Sequence, residues 1–124
     1  MNSKTKNILY WTLTGLVALI FVGSSSGKLM GSAETVQMAE SFGISGSLFT
    51  TIGIIELMSV ILFVIPRTGV LGTLLLTGYM GGAVATHLQH NISVVAPSVI
   101  LAFVWIVAVF RFPELLQRIK GNNL

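Results

Sequence analysis

The sequence predicts an all-α protein: a membrane four-helix bundle running up and down, with a short amphipathic helix on its outer face between the first two spans. Three observations carry this. First, 53% of the 124 residues are hydrophobic and only 9% are charged, with a mean hydropathy of +0.88. A soluble domain carries roughly 25% charged residues, so this chain has too few to cover a water-facing globule. Second, four segments each hold the run of about 20 mostly apolar residues that a spanning helix needs. Third, six of the seven basic residues fall where a four-span topology places them on one side.

The first span covers about 7–30 (NILYWTLTGLVALIFVGSSSGKLM). Lys4 and Lys6 before an apolar run, with small residues after it, imitate a secretion signal, but the segment reads as a retained span. The second covers about 46–65 and is stopped by Pro66; the third covers about 68–90; the fourth covers about 92–112 and is stopped by Pro113. Proline just past a helix end cannot continue the hydrogen-bond ladder. Pro97, in the first turns of the fourth span, removes one donor and favours a kink there. The whole chain, 1–124, reads as one transmembrane domain. Short connections put sequential helices antiparallel.

Between the first two spans lies GSAETVQMAESFGIS. Ala33, Val36, Ala39 and Phe42 recur every third residue, with Glu34, Gln37 and Glu40 between them. This predicts a short amphipathic helix over about 33–42, lying at the outer interface or forming a lid over an outward-facing cavity.

With the N-terminus inside, Lys4, Lys6, Arg67, Arg111, Arg118 and Lys120 face the cytoplasm and only Lys28 lies outside. The positive-inside rule then gives a multi-pass protein of the plasma (inner) membrane with both termini cytoplasmic. Tyr10, Trp11, Phe110 and Phe112 fall at the inner interface as an aromatic belt. The basic residues are scattered and form no patch, so no nucleic-acid partner is expected.

Helices in lipid associate through small residues. Gly23, Gly27 and Gly31 recur every fourth residue in the first span, as do Gly78 and Gly82 in the third, and GGAVAT (81–86) follows the same rule. These stripes read as helix–helix contacts, within the bundle or in a homo-oligomer.

Glu56 is the costly residue. Eleven positions from Arg67 at 1.5 Å each is about 16 Å, the middle of a ~30 Å apolar core. It must face the bundle interior, protonated or paired. Tyr79, about 18 Å from the same interface, shares that depth, with Thr14 and the region of Ser98 as further candidates. His87, about 30 Å up, and Lys28 fall at the outer edge. The expected site is therefore a funnel with Glu56 as its floor. Lys28, His87 and His90 stand at its mouth, and Ser24, Ser25 and Ser26 along its wall. A direct Lys28–Glu56 pair would require helix tilt or an inserted loop. His87 and His90 have a metal-ligand spacing, yet no cysteine or nearby carboxylate joins them, so no metal is expected. There is no cysteine, haem motif, flavin motif or phosphate loop, so no intrinsic cofactor is expected.

The first span ending in GKLM, the second with IELMSVILFVIP and the third with GYMGGAVATHL together resemble the DoxX-like membrane proteins over nearly the whole chain. The resemblance implies a four-span bundle with lysine, glutamate and histidine in the first three spans, here Lys28, Glu56 and His87. It also implies association with membrane oxidoreductases, including thiosulfate:quinone oxidoreductase. The broader bundle is similar to the emopamil-binding and sigma-2-receptor group, which hold lipophilic ligands. The expected function is a polar pocket, open outward, that binds a quinone or other lipophilic small molecule within a membrane redox system, with Glu56, His87, Lys28 and Tyr79 as its ligand-binding residues. Any electron carrier is then a bound quinone or belongs to a redox partner protein. The alternative is a non-catalytic scaffold that binds a partner protein in the bilayer; the third reading is a small transporter working as an oligomer.

The topology is testable. A reporter active only in the cytoplasm, inserted at Ser41, is expected to be silent; a signal there overturns the orientation.

Overall fold

The computed structural model describes residues 2–123. Six α-helices follow one another: α1 (Ser3–Met30), α2 (Ala33–Ser41), α3 (Gly46–Val64), α4 (Gly69–Gln89), α5 (Val95–Arg111) and α6 (Pro113–Ile119). One turn of 3-10 helix, Pro66–Thr68, joins α3 to α4. No strand occurs among the described residues. Local chemistry sets the breaks. Asn2, Ser32 and Ser45 each accept a bond from a backbone N–H three residues on, capping α1, α2 and α3. Gly31 ends α1 at φ 65°, a left-handed conformation that costs glycine nothing.

The helices α1, α3, α4 and α5 form the bundle. α1 packs on α3 and α5, and α4 packs on the same two. The order around the bundle is therefore α1, α3, α4, α5. The end of α5 meets the end of α3 and the start of α1 through Arg111, so neighbours run antiparallel. Val17, Phe21, Val60, Phe63, Leu76, Met80, Val104 and Val107 fill the interior. Leu19, Ile55, Leu74 and Ile106 point outward and are exposed. Large apolar side chains on both faces suit a bundle surrounded by lipid and not by water. Three helical stretches are long and apolar enough to cross a membrane: α1, α3, and Pro66–Gln89. α5 has 17 residues and turns by 108° into α6. Its rise of about 26 Å is at the short end for a spanning helix. The chain is an integral membrane protein.

No glycine of the stripes closely meets another spanning helix. A Cβ at Gly23, Gly78, Gly81 or Gly82 would meet nothing within 4 Å, and Gly27 faces Thr35 and Ser32 instead of another spanning helix. Of the two readings left open for these stripes, contact inside the bundle is not what these glycines make. The close approaches between spanning helices occur at Gly53 and Gly72, and Gly69 lies against the Phe112 ring. A Cβ on Gly53 would lie 2.8 Å from the Lys28 Cβ, and one on Gly72 would collide with the Phe63 backbone.

A second correction concerns Arg111, expected as a loop charge. It is only 5% exposed. Its Nη1 donates to the Phe63 carbonyl at 2.7 Å and its Nη2 to the Val64 carbonyl at 3.1 Å. Pro66 has no N–H to give the Leu62 carbonyl, and the Thr68 hydroxyl donates to it instead, at 2.8 Å. The carbonyls left over where α3 stops are thus satisfied by side chains, with a cation at the negative end of the helix dipole.

Gly72→Ala is expected to destabilise the bundle by about 1–3 kcal/mol through overpacking. Gly78→Ala should stay within about 0.5 kcal/mol of wild type. Thermal unfolding in detergent reads both, and equal shifts would contradict this account of the α3–α4 contact.

Candidate functional site

A cavity of about 430 Å³ lies among α1, α3, α4 and α5. Most of its wall is apolar, from residues such as Phe21, Ile52, Met80 and Ile100. The polar groups are few: Ser24, Lys28, Glu56, Tyr79, Thr86 and His87. Met38 of α2, with Phe42 and Ile44 just after it, covers one end. Of the amphipathic helix itself only Met38 reaches the cavity. Gly78 and Gly82, read from sequence as contact residues, line the cavity together with Ala83. Side chains this small leave space.

The centre of the site is an ion pair. Lys28 Nζ lies 3.0 Å from Glu56 Oε1, with the two residues 8% and 1% exposed. Lys28 also donates to Ser24 Oγ at 2.6 Å, and Ser24 donates to the same Oε1 at 3.3 Å. The Lys28 ammonium sits 5.4 Å from the centre of the Phe49 ring and 6.0 Å from that of Tyr79. Aromatic faces at these distances stabilise a cation away from water. Tyr79 faces Glu56 from α4.

Depth counting placed Lys28 at the mouth and Glu56 below it. The structure joins them, and side-chain direction explains the difference. Cα–Cβ bonds tilt toward a helix's own N-terminus. On antiparallel neighbours that tilt is opposite in space. Lys28 near the end of α1 leans inward, toward Ser24, while Glu56 on α3 leans outward, toward Gly53. Gly53 brings the two backbones together at the Lys28 level. Glu56 lies one turn, about 5 Å, deeper, and the lysine stem spans that gap.

His87 stands at the covered end and lines the cavity. Its Nδ1 is 2.6 Å from the Ala83 carbonyl oxygen. A carbonyl only accepts, so Nδ1 carries the proton, and Nε2 of the neutral ring is an acceptor. The ring packs 4.9 Å from Phe42. His90 is exposed, contacts Phe42 at 6.1 Å and does not line the cavity. Ser24 alone of the three serines takes part: Ser25 is buried and donates to the Val22 carbonyl. Thr14 donates to the Tyr10 carbonyl, and Ser98 is exposed, so neither partners Glu56. Of the residues singled out from sequence, Lys28, Glu56, Tyr79 and His87 all line one cavity. Sequence reasoning missed Phe49 and Gly53. Their signal was available in spacing, since 49, 53 and 56 fall on one helical face.

A family model described as the DoxX-like family matches residues 12–108, a stretch that holds every cavity-lining residue. No curated protein and no solved structure matches the chain.

Removing one member of a buried pair strands the other as an uncompensated charge, which costs about 3–5 kcal/mol, whereas replacing both by apolar groups is often neutral. Lys28→Met is therefore expected to lower the unfolding temperature strongly, and Lys28→Met with Glu56→Leu to restore most of it. A double variant as unstable as the single would remove the ion pair from this account.

Proposed function

The chain belongs to the DoxX-like family, and we propose that it holds a lipophilic small molecule, a quinone or a molecule of similar chemistry, in the cavity between its four long helices. The observation that supports this reading is the buried Lys28–Glu56 pair set in the wall of an otherwise apolar cavity of about 430 Å³. That size falls within the roughly 300–1,000 Å³ of small-molecule sites, and apolar walls with a few convergent polar groups are their usual composition. A ligand carbonyl would accept from the Lys28 ammonium or the Tyr79 phenol. His87, at the covered end, would accept a proton at Nε2 and pass it toward the polar side. As a membrane subunit of a redox system, the protein would exchange its ligand with a partner carrying the electron-transfer groups.

We further place the cavity's covered end outside the plasma membrane and both termini in the cytoplasm. Lys28 and Arg111 are consumed by internal partners. The exposed basic residues Lys4, Lys6, Arg67, Arg118 and Lys120 then all fall at the opposite end, around the start of α1, the α3–α4 turn and α6. Such a one-sided distribution is the pattern that keeps that end inside.

A second reading, a scaffold that recruits a partner membrane protein, is favoured by one feature: Lys28, Ser24 and Glu56 satisfy one another without a ligand. Mass spectrometry of an organic extract separates the two. Purified wild-type protein is expected to yield a stoichiometric lipophile that is lost from the folded fraction of Glu56→Gln, a variant that the stranded Lys28 charge also destabilises. Bulk phospholipid alone in both samples would favour the scaffold.

A further inference from the structure

We infer that the ligand is a neutral lipophile bearing a hydroxyl group, of the alcohol, phenol or quinol class, and that this hydroxyl binds between Lys28 and Glu56. The inference rests on the cavity-binding reading above and, within it, favours a hydroxyl-bearing lipophile such as a quinol over the carbonyl of a quinone.

Valence comes first. An ammonium has three N–H donors and no acceptor. Lys28 uses two, on Ser24 Oγ at 2.6 Å and on Glu56 Oε1 at 3.0 Å. The bonds from Lys28 and Ser24 to Glu56 both land on Oε1. One ammonium donor remains, and neither of these bonds reaches Oε2, which has only the facing Tyr79 phenol near it; Lys28 and Glu56 are themselves more than nine-tenths buried and line the cavity. A hydroxyl is the small group that accepts one bond and donates another from a single atom. Its oxygen takes the remaining Lys28 donor and its proton goes to Glu56 Oε2. An ether or a ketone of the same shape only accepts, so it adds no donor to the carboxylate beyond the Tyr79 phenol that faces it.

Charge comes second. The pair sums to zero. An anionic ligand would compete with Glu56 for Lys28 and leave a net negative charge in an apolar wall; a cationic one would do the reverse. Either imbalance is costly away from water. A neutral ligand keeps the balance. Its remaining atoms meet Phe21, Ile52, Met80 and Ile100, which bind hydrocarbon and offer no polar contact. Gly78 and Gly82 give that hydrocarbon its room.

The test uses matched probes on the full chain in phosphatidylcholine nanodiscs, with occupancy titrated by native mass spectrometry. The probes are dodecanol, dodecyl methyl ether, dodecanoic acid and dodecylamine. Dodecanol is expected to bind about tenfold more tightly than the ether, the effect of one hydrogen bond to a charged group. It should also outcompete the acid and the amine. In Lys28→Met with Glu56→Leu, which keeps the wall neutral, the alcohol and the ether should bind alike. Equal binding of alcohol and ether to wild type, or tightest binding of the acid or amine, overturns the hydroxyl inference and leaves the cavity reading standing. Failure of every probe to bind overturns the cavity reading itself.

Discussion

An ammonium and a carboxylate held 3.0 Å apart inside an apolar bundle constrain everything around them. Neither charge is tolerable alone at that depth, so the two helices that carry them must stay in one register. The α1–α3 contact does this. Gly53 removes the side chain that would hold α1 away, and Ser24, one turn from Lys28, fixes the ammonium from its own helix. Phe49 and Tyr79 then supply ring faces instead of water. A slip of one residue along α1 would rotate Lys28 by about 100° and strand Glu56.

The same pair decides what the cavity is. In a bundle without it, the space beside Gly78 and Gly82 would be a void lined by hydrocarbon, open to any lipid tail. With it, one wall carries a charged but neutral-sum polar group. Lipid tails have no use for such a group, and a molecule with both a polar end and an apolar body does. The cover fits this division. Met38, Phe42 and Ile44 add apolar surface to the cavity, and His87 lines it with its Nδ1 turned to the Ala83 carbonyl.

Much of this was legible in the sequence, for reasons that are local. The spans were visible because each is a long apolar run, and two of their ends because Pro66 and Pro113 end helices by covalent geometry. The helix after the first span was visible because its apolar residues recur with helical spacing. Glu56 stood out because a carboxylate in such a run has no bland explanation, and Tyr79 was matched to it by counting rise. What failed were the inferences that need direction as well as level. Lys28 counts as an outer residue by its Cα, yet its side chain leans back into the bundle. Arg111 counts as a loop charge by its position before Pro113, yet it is the group that satisfies the end of α3. The glycine stripes were read by a rule about spacing alone. Spacing shows that small residues share a face and says nothing of whether another helix, a ligand space or a turn lies opposite. Gly53 and Gly72, which do carry close approaches, belong to no stripe and were invisible to that rule.

The bundle buries two cations, one toward each end, and the comparison shows how a site differs from a seal. Arg111 donates to backbone carbonyls, whose positions are fixed by α3, and three rings close on its guanidinium at 4.9, 4.7 and 4.8 Å. A planar group stacks and forks, and Arg111 is not among the residues that line the cavity of about 430 Å³. Lys28 is held by a side-chain carboxylate and a serine, with its two rings farther off at 5.4 and 6.0 Å. An ammonium on a flexible stem does not stack. It leaves a donor, an acceptor and room between them. The burden of desolvating a charge is the same at both ends. At one it satisfies the carbonyls that end α3, and at the other it leaves a polar pair in the wall of a cavity of about 430 Å³.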